Sequence, residues 1–213
     1  MNLTHEQEWG LRKLQQANTQ FVVGIDEVGL GAIAGPLVVC GAVFPSGWSD
    51  PQVKDSKKYS SHEARMKVLK ANIDPVCSHR AVEIVSHIDV DSLGMHDALQ
   101  DAIRRCALRC AVKYPSSAIV VDGNYFPLIM GHETVAIPKG DHLVPAVSAA
   151  SVIAKTTRDA MMRMEAAIYP GYGFENHVGY LTEEHRKAVF TLGPCTIHRR
   201  SYEPIKSITG GRR

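Results

Sequence analysis

Apolar positions along this chain fall into two rhythms. QFVVGIDEV (20–28) and LVVCGAVF (37–44) are short, nearly continuous apolar runs rich in β-branched residues. They read as two buried strands paired like a hairpin across a glycine-rich turn. SHRAVEIVSHI (78–88), SSAIVVDGN (116–124) and HETVAIPK (132–139) read as three further strands. A 3.6-residue spacing instead predicts helices over 60–73, capped by Ser60 or Ser61, over 91–113, over 144–167 with many small residues for close packing, and over 182–192. The alternation predicts an α/β fold, a central mixed sheet flanked by helices. The expected division is a catalytic core over 1–165 and a smaller helical segment over 166–213, whose basic tail ends GGRR.

Composition narrows the class. The chain has 213 residues, 45% hydrophobic and 22% charged, enough for one sizeable core. Its N-terminal MNLTHEQEWG is polar and acidic, unlike a secretory leader, and no apolar run approaches the roughly 18 residues of a membrane span. A cytoplasmic, monomeric protein is expected. The five cysteines are odd in number and include no C-x-x-C pair, which predicts neither a disulfide framework nor a zinc site; Cys106 and Cys110 read as buried helix thiols.

The chemistry lies in the placement of acids. Asp26 and Glu27 end the first strand, Asp122 ends the fourth, and Asp141 stands between the fifth strand and a helix. Ligand sites in open sheets gather beyond strand ends, so acids far apart in sequence can converge there. Each has a bland reading: Asp122-Gly123 as a turn, Asp141 as a loop stabiliser, Asp26-Glu27 as solvated surface. Their joint position beside uninterrupted apolar strands favours a site. Successive strand side chains face opposite ways, so both Asp26 and Glu27 point inward only if the chain bends, and Gly29 and Gly31 are where a bend is expected. Four gathered carboxylates repel one another unless cations intervene. An all-oxygen set suits Mg²⁺ or Mn²⁺, and two ions about 4 Å apart would activate water and stabilise a leaving oxygen, which makes phosphodiester or phosphoanhydride hydrolysis the leading reaction class.

The motifs GIDEVGLGAIAGPLVV, VKDSKKYS, VVDGN, KGDHLVPAVSAASVIAKTTRD, YPGYGFENHVGY and HRRSYEPIK, in this order from about Phe21 to Lys206, resemble ribonuclease HII, the type 2 ribonuclease H. The resemblance implies a ribonuclease H-like fold and an endonuclease that cuts the RNA strand of RNA–DNA hybrids. It also implies incision 5′ to a ribonucleotide embedded in duplex DNA, leaving 3′-hydroxyl and 5′-phosphate ends. By motif, Asp26, Glu27, Asp122 and Asp141 become the catalytic and metal-binding acids. Tyr180 becomes the ring that stacks on the junction sugar, and backbone groups of Gly29, Leu30 and Gly31 become the readers of the ribose 2′-hydroxyl. Lys57, Lys58, Lys155, Arg199 and Arg200 read as phosphate contacts that position a duplex without reading its sequence, and Ser148 as another contact or a packing residue. His177, His185 and His198 read as satisfied polar or capping groups, with outer-shell proton transfer the alternative, and Asp159 as a helix-surface ion-pair partner. The net charge is +2; with the four acids set aside the remainder is +6, as a nucleic-acid partner would favour.

Three positions depart from the family pattern. Leu30 replaces the usual arginine of Gly-Arg-Gly, Val178 replaces a lysine that often precedes the Gly-Tyr pair, and a helix asparagine is replaced near Gly94. Leu30 removes a guanidinium and puts substrate preference in question, with ribonuclease HIII-like preference for hybrids the alternative. An actin-like or sugar-kinase phosphotransferase would need a duplicated domain and a second glycine-rich phosphate loop, which this chain lacks. A non-catalytic hybrid-binding protein would have lost an acid.

Overall fold

The computed structural model describes residues 3–125 and 127–210; Arg212 and Arg213 of the expected basic tail lie outside them. Five strands form one mixed sheet: β1 (Phe21–Val28), β2 (Leu37–Pro45), β3 (His79–Val85), β4 (Ser117–Asp122) and β5 (Thr134–Ile137), in the order β3-β2-β1-β4-β5. β1 to β3 are antiparallel neighbours, while β4 runs parallel to β1 and β5 parallel to β4. This is the mixed sheet expected from the alternating apolar pattern.

Each face carries one long helix. On one, α4 (Met95–Lys113) packs Ala102, Cys106 and Ala107 against Val23, Ile25 and Val39. Cys106 and Cys110 are free, buried thiols against Gly41, so they act as small apolar groups. On the other face, α5 (Pro145–Ile168) buries Val147, Ala150 and Ala154 with Val38, Cys40 and Val120. α5 approaches so closely at Gly24 that any Cβ there would collide with the Ala146 and Val147 backbone. That contact seats the start of α5 beside the end of β1.

Local chemistry redraws several expected boundaries. The helix anticipated over 91–113 is two helices, α3 (His87–Leu93) and α4, because Gly94 sits at φ +80° between them. The third strand stops at Val85, since Ser86 caps α3 by accepting from Asp89 N–H. Ser61, not Ser60, caps α2 (His62–Val68), and the chain then widens into a π-helical turn over Leu69–Ile73. A helix the apolar rhythm did not predict, α1 (His5–Gln16), begins with a reciprocal cap between Thr4 and Gln7, and the Gln7 amide donates to Pro138 O at 2.8 Å.

Beyond the sheet, α6 (Phe174–His177), α7 (Glu183–Leu192) and α8 (Ile205–Ile208) enclose a third apolar cluster. It joins Phe174, Val178, Val189, Ile197 and Ile205 to Ile33 and Ala34 of the glycine-rich segment and Met162 of α5. Short bridges from Ala32 to Tyr180 and from Ala34 to His198 tie the same parts together. No helix among the described residues is long and apolar enough to cross a membrane.

Candidate active site

The site begins where two parallel strands part. The β1–β4 register ends at Ile25 opposite Val121, so Asp26 and Asp122 are the next residues of each strand and share the face that α5 covers. Asp141 comes from the short 3₁₀ turn Gly140–His142 after β5, which packs on α5. Carboxylate oxygens of Asp26, Asp122 and Asp141 all lie within 4.8 Å of one another.

The bend falls at Gly29, where it is expected, which is too late to turn Asp26 and Glu27 to the same side. β1 stays paired with β2 through Glu27–Val39 and Val28–Val38, and the chain turns only afterwards, at Gly29, φ +100°. Glu27 therefore belongs to the opposite face of the strand, at the mouth left where β4 ends, and is not one of the three clustered carboxylates. Its charge is still felt there. Burial, then the charge of Asp122, pushes its carboxyl up to about 7.

The other three acids shift the same way. Burial and then the neighbouring Glu27 charge hold Asp26 well above the ordinary carboxylate range. Asp122 is raised chiefly by burial, although its Oδ1 accepts the Gly140 N–H at 2.6 Å. Burial followed by Asp122 raises Asp141. Asp26 and Asp141 are 5% and 6% exposed, and no hydrogen bond among the described residues reaches the Asp141 carboxylate. Buried, mutually repelling oxygens with spare lone pairs and no softer donor among the four form a set that fits hard divalent cations.

Basic groups lie around the acids in unequal states. Lys57 is exposed on the DSKK segment; burial works against its charge, but Asp55, Asp141, Asp26 and Asp122 together raise its pKa above the ordinary value. Lys155 is half-buried, its ammonium 2.8 Å from Asp159 and 5.5 Å from the Tyr180 ring centroid. Arg158 lies 5.3 Å from the same ring, so the half-buried Tyr180 is backed by two cations.

Several contacts differ from those the sequence suggested. Arg199 is fully buried and cannot reach a phosphate at the surface. Its guanidinium donates to Gly35 O and Leu30 O, each at 3.1 Å, and so holds the glycine-rich loop from inside. Ser148 is likewise turned inward, donating to Asp141 O at 2.7 Å. Asp159 is a buried bridge from Lys155 to Arg65, 2.6 Å away, not a surface partner. Arg158, which spacing alone did not single out, donates to Pro36 O, Ala34 O and Val178 O at 2.8 to 3.0 Å and joins the glycine loop to the Tyr180 loop.

The three histidines are structural groups with determined tautomers. His177 Nδ1 accepts from Gly179 N–H, so its Nε2–H donates to Tyr172 O at 2.8 Å. His198 Nδ1 accepts from Cys195 N–H, its Nε2–H donates to His185 Nε2 at 3.0 Å, and His185 Nδ1–H donates to Tyr180 O. Burial pushes both His185 and His198 down to about 4, which keeps them neutral.

Comparison with known proteins meets this geometry directly. The Ribonuclease HII family model matches residues 23–205. The chain belongs to the ribonuclease HII family. The Maricaulis maris ribonuclease HII is 35% identical over 95% of this chain and 90% of its own length, and that of Halorhodospira halophila is 37% identical over 89% and 95%. The crystal structure of ribonuclease H2 from Pyrococcus horikoshii superposes with a TM-score of 0.68 at 25% identity, covering 89% of this chain and 97% of that one. The chain is thus a type 2 ribonuclease H with the ribonuclease H-like fold, an endoribonuclease of RNA–DNA hybrids.

Proposed function

We propose that Asp26, Glu27, Asp122 and Asp141 hold two divalent ions, Mg²⁺ or Mn²⁺, for hydrolysis of the RNA strand of hybrids and for incision 5′ to ribonucleotides embedded in duplex DNA. The observation that carries this reading is the convergence of Asp26, Asp122 and Asp141 oxygens within 4.8 Å at the parting of β1 and β4. Bound there, such ions supply an activated water and neutralise the charge that develops on the departing 3′-oxygen. The protein's own part is positioning. Asp122 and Asp141 are fixed by the Gly140 turn, and Asp26 by the Gly24 contact with α5.

Substrate placement falls to the glycine loop and Tyr180. Leu30 O is occupied by Arg199 and by the Tyr202 hydroxyl at 2.9 Å, which fixes the loop's path. Gly31 is exposed, and a Cβ built there would meet nothing within 4 Å. The fold itself does not require glycine at 31, which supports a role in admitting a ribose against the backbone. Tyr180, backed by Lys155 and Arg158, presents a rigid ring for the sugar next to it, and Lys57 and Lys58 offer exposed charge for the phosphates.

The deciding experiment is cleavage of labelled duplexes carrying no ribonucleotide, one, or four, in Mg²⁺, Mn²⁺ or EDTA. Cuts are expected only with metal and only 5′ to ribonucleotides. Cleavage that persists in EDTA would overturn the metal reading, and failure on the single-ribonucleotide duplex alone would restrict the substrate to hybrids.

A further inference from the structure

A second group of possible ligands lies beside the catalytic acids and shares one of them. Asp55, Asp141 and His142 each offer a ligand atom, all within 4.8 Å of one another. Asp55 caps the 3₁₀ turn Ser56–Lys58 through Oδ1, which accepts the Lys57 N–H at 2.9 Å. Its Oδ2 has no hydrogen-bond partner among the described residues, although Asp55 is only 4% exposed. The Asp141 carboxylate, 6% exposed, is equally unpartnered. Both face the imidazole of His142, whose Nε2 stands 3.8 Å from Asp55 Oδ2 and 3.9 Å from Asp141 Oδ1.

Those separations are too long for hydrogen bonds. Two ligands on a common zinc ion, each at about 2.1 Å, lie roughly 3.0 to 3.5 Å apart. Closing the two gaps to His142 takes a movement of about half an ångström, within reach of that side chain, which is 26% exposed on the rim of the site, while the two acids already lie within 4.8 Å of each other. Lys57 makes no ion pair within 4 Å of either acid among the described residues, although the charges of Asp55 and Asp141 raise its pKa. The donor set also differs in kind from the catalytic one. Imidazole favours later transition metals, whereas Mg²⁺ is held by oxygen, and affinity for mixed nitrogen and oxygen sites rises from Mn²⁺ to Zn²⁺.

We propose that Asp55, Asp141 and His142 form a subsite for a transition-metal dication, tighter for Zn²⁺ than for Mn²⁺ and closed to Mg²⁺, adjoining the catalytic cluster through Asp141. The assignment rests on the reading of Asp26, Asp122 and Asp141 as catalytic ligands only in that Asp141 is shared. Occupation by Zn²⁺ draws Asp141 toward His142 and away from Asp26, so Zn²⁺ at this position lowers cleavage supported by Mg²⁺.

The test is Zn²⁺ titration by calorimetry of the full chain as Asp26→Asn, which weakens the catalytic cluster, and as Asp26→Asn with His142→Ala. The single variant is expected to bind one Zn²⁺, and the double variant to bind it at least tenfold more weakly. Zinc-edge absorption should show an imidazole nitrogen ligand in the first protein and not in the second. His142→Ala alone should keep Mg²⁺-supported cleavage within about twofold of the parent while losing Zn²⁺ inhibition. Equal Zn²⁺ affinity with and without His142, or an absorption spectrum unchanged by its removal, overturns the subsite. Asp26→Asn that still cleaves in Mg²⁺ overturns the catalytic reading instead and leaves the subsite standing. Circular dichroism on each variant confirms folding, and His142→Gln replaces the alanine variant if it does not fold.

Discussion

Gly29 and Gly31 stand two residues apart in one loop, and the structure gives them different work. Gly29 has φ +100°, and a side chain there would meet Arg158 and the Pro36 carbonyl. Gly31 faces open space. Gly29→Ala is therefore expected to destabilise the protein by about 1 to 3 kcal/mol, read from chemical denaturation. Gly31→Ala should unfold like the parent yet lose at least tenfold in cleavage, with the loss concentrated on duplexes carrying one ribonucleotide. Equal activity in Gly31→Ala would remove the loop from substrate recognition. Leu30→Arg supplies the guanidinium usual in the family, and on the single-ribonucleotide duplex it should raise kcat/KM if that charge reaches a phosphate, while equal rates would make the side chain irrelevant. Asp26→Asn should lower Mg²⁺-supported cleavage by about three orders of magnitude or more, since it removes a charge from the ligand set.

At the scale of elements, the site depends on α5 lying hard against β1. Gly24→Ala must push α5 off the sheet, because the obstacle is Ala146 and Val147 backbone and not a side chain that can rotate. A loss of roughly 3 kcal/mol is expected, with activity falling further than stability as Asp141 moves relative to Asp26. Arg158 plays the corresponding part between loops. Burial lowers its guanidinium to about 10, so it stays charged at neutral pH, and its three carbonyl partners belong to both the glycine-rich loop and the Tyr180 loop. Arg158→Lys keeps the charge but not the fork of donors. It should cost about 2 kcal/mol and raise KM more than it lowers kcat.

The whole molecule responds to pH in two opposite ways. His185 and His198 are held near 4, below the usual histidine value, so their contribution is intact above about 6.5 and lost as pH falls from 6.5 towards 4. Glu27 is raised from 4.5 to about 7, so the metal-free protein is least burdened by it below 4.5 and loses stability as pH rises through 7. Bound cations remove that second penalty and compete with its protons. Thermal melts should show the metal-free protein losing Tm on both sides of a mildly acidic optimum, and Mg²⁺ raising Tm more at pH 8 than at pH 6. A Mg²⁺ effect independent of pH would mean the raised acids do not bind it.

The chain's own order of residues showed the five strands, the long helix α5 and which acids stand at strand ends, because burial on one or two faces leaves a periodic trace and an acid ending an apolar run is visible without coordinates. It also carried the glycine loop and Tyr180 through motifs that resemble a family. What only the tertiary structure decided is which way side chains point once strands separate. Asp26 and Asp122 face each other because β1 and β4 part at one register position, and Glu27 stays on the other face because β2 keeps β1 straight. Arg199 and Ser148 are turned inward and Asp159 is buried for a related reason. Arg199 reaches carbonyls 164 and 169 residues away and Asp159 pairs with Arg65 across 94 residues, while Ser148 turns inward because the Asp141 turn folds back on α5, and one-dimensional order holds no record of such approaches.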